Sequence, residues 1–364
     1  MIAATTSPDH EDMQGELDGP TRDAIDDDHA PAPTRAPVAT AARVTVPVSV
    51  VIPAYGHADY ILSSVESVLS QSPPPREIIV VDDSSPDDTA ARLAPLVADG
   101  RVRYVRQPNA GMAAARNAGA HLATCEYLYF LDDDDLMIPG ALGWMVEELQ
   151  ARPAAAMVFG DMVLFSEEPP VELDDASSQA GDVDRIPFMI FNQLGSPGQV
   201  LLRRSAFLAV GGFDPLIWGT DDWDLWLRLL ERYPARSARR PVLAYRLHAN
   251  NASRNVARMY ASSLRVARRR MRQLPVERQT VLRRYTYMRL REYHVPRLQD
   301  MVRRAVRRGE WHMAFAAGRA WVTAWGAELV AYAALKAHLL RQGRWSLPAE
   351  EPWSDTILQH CGRL

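Results

Sequence analysis

Residues 126–135 read Glu-Tyr-Leu-Tyr-Phe-Leu-Asp-Asp-Asp-Asp, an apolar run that stops on four consecutive carboxylates. Tyr127 to Leu131 show no polar alternation, as in a strand covered on both faces. Four adjacent aspartates repel one another unless solvent or a cation relieves them. The stretch therefore reads as a buried strand, Glu126–Leu131, that delivers acids to one edge of a sheet.

Working outward, the same grammar recurs. Val48–Ile52 and Glu77–Val81 are short β-branched runs, Arg101–Val105 reads as a further strand, and helical spacing of Ile61, Leu62, Val65, Val68 and Leu69 falls between the first two. Gly111–Ala123 is an alanine-rich helix. Ser85-Pro86-Asp87-Asp88 has the composition of a helix cap with proline at the first helical position, and Pro139 begins a helix whose apolar face is Leu142, Met145, Val146 and Leu149. Strand and helix in alternation predict an α/β fold with a mostly parallel, Rossmann-like sheet flanked by helices. Ligands of such sheets bind beyond the carboxyl ends of the strands, where Pro53-Ala54-Tyr55, Asp82-Asp83 and Asp132–Asp135 stand. Further on, 166–181 reads as a polar loop, Gln199–Leu202 and Pro241–Leu247 as strands, and Asp221–Glu231 as a helix. Everything beyond Asn255 reads as helix.

Three parts follow: a disordered acidic tail (1–43), an α/β domain (44–253) and a basic helical C-terminal region (254–364). The tail carries nine acids against Arg22, Arg35 and Arg43, with too little apolar surface to offset its chain entropy. It has no basic-then-apolar leader, and Cys125 and Cys361 suggest neither a disulfide framework nor a thiolate metal site. A cytoplasmic protein is expected, which makes the Asn251-Ala252-Ser253 glycosylation tripeptide accidental. Apolar residues at 47% and charged residues at 24% exclude whole-chain disorder and a polytopic membrane protein.

The acids after the strands suit a hard divalent ion held with phosphate oxygens. An EF-hand loop does not fit, because its glycine and glutamate positions hold Met137 and Gly143. Asp83 suits a base N–H, with Tyr55 stacked on that base. A solvated acidic turn or helix cap is the plainer alternative for each cluster taken alone. A dinucleotide oxidoreductase is disfavoured, since no G-x-G-x-x-G turn follows the first strand.

The strings VSVVIPAY (48–55), EIIVVDDSSPDDT (77–89), NAGMAAARNAG (109–119), YLYFLDDDD (127–135), GGFD (211–214), TDDWDLWLRL (220–229) and YRLHANNAS (245–253) together resemble glycosyltransferase family 2, with its GT-A fold. The resemblance implies an inverting transfer of sugar from a nucleotide-diphosphate donor, UDP-linked, in cell-surface polysaccharide or glycoconjugate synthesis. The acceptor would be a glycan, a lipid-linked glycan or a protein. By resemblance, Pro53, Tyr55 and Asp83 surround the donor base. The metal-binding DxD motif falls on Asp132 and Asp134 and would hold Mn2+ or Mg2+, with Asp133 open as a register alternative or a ribose contact. Asp222 aligns with the catalytic base and Asp221 with the preceding acid, here aspartate in place of the usual glutamate; Asp224 is a nearby rival. Arg246 and His248 stand where diphosphate or metal contacts are expected, and Arg116 and Asn117 could reach donor phosphates or sugar, or only organise helix and sheet. The competing function is a non-catalytic module that binds a nucleotide sugar or glycan.

Arginine is dense from 254 to 344, and Trp311, Phe315, Val322, Trp325, Leu329, Tyr332 and Leu339 share one helical face. Arg319, Glu328 and Lys336 interrupt it, which argues against a membrane span. The face is expected to pack on the catalytic domain or a second subunit. Peripheral contact with the inner face of the plasma membrane is the alternative. Nucleic acid is not expected, since no recognition motif accompanies the charge.

Overall fold

A computed structural model of the chain describes residues 45–167 and 180–341. The acidic tail and most of the expected 166–181 loop lie outside the described residues.

The strands are β1 (Val46–Ala54), β2 (Pro75–Asp82), β3 (Arg103–Arg106), β4 (Tyr127–Phe130), β5 (Leu136–Met137), β6 (Met157–Phe165), β7 (Gly181–Asp182), β8 (Val200–Arg203) and β9 (Ala235–Arg246). They form one sheet in the order β3-β2-β1-β4-β8-β6-β9-β5, with β7 on β9. The first four are parallel throughout. Beyond β4 the sheet is mixed: β8 runs antiparallel to both β4 and β6, while β6 and β9 are parallel. Strand order reverses at β1, since β2 lies on one side and β4 on the other. A crevice opens at such a reversal because the connections leave in opposite directions.

The helices are α1 (Ala58–Leu69), α2 (Thr89–Ala98), α3 (Met112–Leu122), α4 (Ala141–Ala151), α5 (Arg185–Ile190), α6 (Arg204–Ala209), α7 (Asp221–Leu230), α8 (Val256–Met271), α9 (Val276–Arg307) and α10 (Trp311–Arg341). Period-two alternation in β1 splits its side chains between two cores. Val50 and Ile52 join Ile61 and Val65 of α1 and Leu142 and Met145 of α4. Val51 joins Ala115 of α3, Trp223 and Trp226 of α7, and Tyr260 and Leu264 of α8. This second core runs on to Leu290 of α9 and Ala331 of α10, so the helices beyond residue 253 are packed into the same body.

Two local expectations are corrected. Ser85 does not cap a helix: α2 starts at Thr89, whose N–H donates to Asp87 Oδ1 at 3.2 Å, and Ser85 Oγ instead accepts from Gly56 N at 3.3 Å. The helix after Pro139 starts at Ala141, because Gly140 takes the left-handed conformation that turns the chain into it.

Of the expected partners for the C-terminal apolar face, the catalytic domain does not cover its large residues among those described. On α10 the buried stripe is small, formed by Ala314, Ala317, Ala324 and Ala331, and it packs towards α9. Trp311, Phe315, Val322 and Leu329 are exposed at 67%, 74%, 69% and 64%. Alanines let the two helices approach closely, which turns the larger residues outward. The side chains of Tyr332 and Leu339 lie outside the described residues.

Candidate active site

A cleft of about 960 Å³ opens over the carboxyl edge of the sheet, within the size range of small-molecule sites. Pro53, Tyr55 and His57 enter from the end of β1, Asp83 from β2, Asp132, Asp133 and Asp134 from β4, and Asp221 from α7. Three stretches complete the lining, 109–113, 215–219 and 250–252, with Arg258 and Arg265 of α8.

The four aspartates point in four directions, each with its own partner. Asp132 Oδ1 accepts from Arg116 Nη2 at 2.6 Å. Asp133 accepts from Tyr55 N at 2.9 Å and pairs with His57 Nδ1 at 2.8 Å, which ties the β4 turn to the end of β1. Asp134 Oδ2 meets His248 Nε2 at 2.7 Å. Asp135 is fully buried and accepts from Arg246 N at 2.9 Å. Strand geometry explains the pattern: successive side chains leave a turn on different faces, so four identical residues meet four environments.

Charge follows burial. Loss of water raises the Asp133 carboxyl to about 6, against the opposing pull of His57. The hydrogen bond to Asp133 raises the His57 imidazole to about 9, despite desolvation. Burial, reinforced by neighbouring carboxylates, also raises Asp134 and, more strongly, Asp135.

Asp83 holds the wall of the cleft. Its carboxylate accepts from Gln107 Nε2 at 2.8 Å, Ala110 N at 2.9 Å and Gly111 N at 2.8 Å, so it fixes the approach to α3. Ser84 beside it sits at φ 63°, an uncommon backbone state for a residue with a Cβ, and donates from Oγ to Gln107 O at 2.7 Å. Asp82 points inward and accepts from Ser85 N and from the Tyr104 hydroxyl.

Across the cleft, Arg116 bridges two carboxylates 89 positions apart, donating from Nη2 to Asp132 and from Nη1 to Asp221 at 3.1 Å. The guanidinium is buried, so it organises these acids and does not present itself to solvent. Asp222 is buried beside Asp221, outside the cleft lining; its Oδ2 accepts from Asn192 Nδ2 at 3.1 Å and its Oδ1 from Trp223 N at 2.7 Å. Burial first, and the Asp221 charge second, raise its carboxyl to about 7. Asp224, the nearby rival, faces away and is locked by Arg228 at 2.8 Å and Arg270 at 2.8 Å.

Asn117 goes elsewhere: its amide group exchanges two hydrogen bonds with the backbone of Phe213, pinning the GGFD turn. Arg246 is positioned rather than free, with Nε donating to Asp134 O at 2.9 Å and its guanidinium 4.5 Å from the centroid of the Phe165 ring. Two residues were missed in the sequence. His57 joins Asp134 and His248, with ligand-capable atoms of all three within 4.8 Å of one another. Asn251 holds the His248 loop, accepting from His248 N at 2.6 Å and donating to Arg246 O at 3.0 Å. The signal for His57 was its place two residues after Tyr55, on the ligand edge of β1.

Strand reversal, a cleft at the reversal and acids delivered to it from β2, β4 and α7 agree with the GT-A fold that the sequence strings resemble. Residues 49–206, less than half of the chain, match the Glycosyl transferase family 2 description. The chain is 43% identical over 89 residues to an uncharacterized glycosyltransferase of Rickettsia felis, covering 24% of this chain and 15% of the relative. It is 27% identical over 225 residues to chondroitin synthase of Escherichia coli, covering 59% of this chain and 31% of the relative. The chain thus spans well under half the length of these relatives. Among solved structures, S. aureus TarS 1-349 in complex with UDP-GlcNAc has a TM-score of 0.57 at 16% identity, covering 82% of this chain and 92% of that one. The likeness is one of fold.

Proposed function

We propose that the protein transfers a sugar from a nucleoside-diphosphate donor to an acceptor hydroxyl, with inversion at the anomeric carbon and dependence on a divalent ion. The observation that carries this reading is the Arg116 bridge, which holds Asp132 of the β4 turn and Asp221 of α7 together at a single cleft. Tyr55, half exposed at the mouth, is free to stack on a base, and Pro53 and Asp83 form the wall beside it. TarS was solved with UDP-GlcNAc, which supports a uridine donor here, and the chondroitin synthase relative supports a glycan acceptor in polysaccharide synthesis.

His57, Asp134 and His248 fit a metal ion by their chemistry, two imidazoles and a carboxylate converging on one point. That donor set suits Mn2+ better than Mg2+, which prefers oxygen ligands. Bound there, the ion would neutralise the departing diphosphate. Asp132 stands beside this group, with its Oδ1 directed to Arg116, and would orient the donor. Asp222 takes the proton of the attacking hydroxyl, and Asn192 and the Trp223 N–H hold its carboxylate in place. A carboxyl near 7 ionises in the working range of a general base. Asp221, tied to Arg116, positions the acceptor end.

α10 exposes an apolar face and the end of α9 exposes Arg303, Arg304 and Arg307, followed by Arg308, a combination suited to the surface of an anionic membrane. No helix among the described residues is long and apolar enough to cross a membrane. The protein would then meet its acceptor as a peripheral protein.

A screen of nucleotide sugars with Mn2+, scored by release of nucleoside diphosphate, tests the activity. Release from one donor, lost in Asp222→Asn, is expected. If every common donor stays intact with and without acceptor extracts, the binding-module reading takes its place.

A further inference from the structure

Part of the cleft wall is basic, and it comes from α8, beyond the segment that matches the family. Arg258, Ala261, Ser262 and Arg265 recur at helical spacing and line the cleft together. Arg258 lies flat on Trp218, with its guanidinium carbon 4.0 Å from the ring centroid. Stacking occupies the face of a guanidinium and leaves its in-plane N–H groups free for a bidentate anion. Arg265 gives one N–H to Leu216 O at 3.0 Å and retains the others. Both side chains are exposed, and among the described residues neither pairs with a carboxylate, although several other arginines of this region do.

The geometry also says which substrate this wall faces. The 215–219 stretch beneath the two arginines leads directly into Asp221 and Asp222. It is pinned to α8 by Asp214–Arg269 and by the Thr220–Ser262 hydroxyl pair at 2.8 Å. Gly219 lies at φ +70°, and a Cβ there would meet Met259 of α8 at 2.7 Å, so loop and helix fit closely. The arginines are thus tied to the stretch that carries the chain into the acidic pair of α7, where the transferase reading places the acceptor hydroxyl. The cation group comes from other elements, the ends of β1, β4 and β9. Both guanidiniums are anchored on the 215–219 stretch, at Trp218 and at Leu216 O, so together they offer two cations to one ligand.

We propose that Arg258 and Arg265 form an anion subsite for the acceptor, and that the acceptor is a saccharide or polyol chain bearing carboxylate or phosphate groups. This rests on the transferase reading for its orientation, while the anion subsite can be measured without turnover. The test is equilibrium binding to the full chain, using tetragalacturonate, its carboxyl-reduced counterpart and a glycerol phosphate tetramer in the presence of EDTA, and UDP in the presence of Mn2+. At least one polyanion is expected to bind, more weakly as salt rises, and to lose about tenfold in affinity in the Arg258→Gln/Arg265→Gln double variant. Binding of the neutral tetrasaccharide and UDP should not change, and Arg258→Lys should recover less than half of the loss. The proposal is overturned if neither polyanion distinguishes wild type from the double variant, or if UDP affinity falls alongside theirs, which would make the anion the donor diphosphate. Diphosphate release measured separately keeps the two readings apart: binding without release sinks the activity alone, and release without charge-dependent binding sinks the subsite alone.

Discussion

At the scale of single residues, function turns on how differently like side chains are treated. Asp222 and Asp224 lie on one helical turn, yet Asp222 has only neutral hydrogen-bond donors and Asp224 has two arginines. Asp222→Asn is expected to reduce transfer by roughly 10²–10⁴-fold, the usual weight of a general base. Turnover of the wild type should rise with pH through about 7, as Asp222 loses its proton. The stability effect has the opposite sign. The folded chain holds a proton that the unfolded chain releases near the ordinary carboxyl range, so stability falls as pH rises from there to about 7. Thermal melts of wild type and Asp222→Asn across that window should converge at the acid end and separate at the neutral end, with the variant the more stable. Arg116 is a second case. Its removal leaves Asp132 and Asp221 uncompensated, and Arg116→Ala should lose about 3–5 kcal/mol in urea unfolding. A loss below 1 kcal/mol would mean that water reaches both acids.

At the scale of elements, α3 is the part most tightly set. Gly119 faces β1 so closely that an added Cβ would fall 2.3 Å from Val51 Cγ1 and 3.2 Å from Val81 Cγ2. Gly119→Ala gains helix propensity of up to about 1 kcal/mol but must push α3 off the sheet. Overpacking of this kind costs about 1–3 kcal/mol, so a net loss is expected. Because α3 carries Arg116, diphosphate release should fall with the melting temperature. An alanine variant with unchanged melting would show that the contact yields easily. The alternation of strand and helix up to β4 was legible because each element has an uninterrupted apolar run or stripe. β5 was not, being two residues that pair with β9 only once the chain has folded. Nor was the full length of β9, whose Arg236, Arg239 and Arg240 break the apolar pattern.

At the scale of the whole molecule, α10 separates the interior from a partner. Its alanines pack on α9, while Trp311, Phe315, Val322 and Leu329 stay uncovered among the described residues. Co-sedimentation with vesicles containing anionic phosphatidylglycerol is expected, and with neutral phosphatidylcholine vesicles it is not. Phe315→Gln/Leu329→Gln should abolish it, and high salt should weaken it. Concentration-dependent dimers in solution, with no vesicle binding, would assign the face to a second copy instead.

Residue types along the chain were enough to determine the layering, the edge on which acids gather and the acidic pair at the start of α7, because apolar periodicity and local motifs are properties of neighbours in sequence. Which aspartate meets which partner was decided only in three dimensions. Arg116 reaches Asp221 across 105 positions and His248 reaches Asp134 across 114, distances at which no spacing rule operates. The same holds for His57 and for the arginines of α8, which acquire meaning only where separate strands and helices end at one cleft.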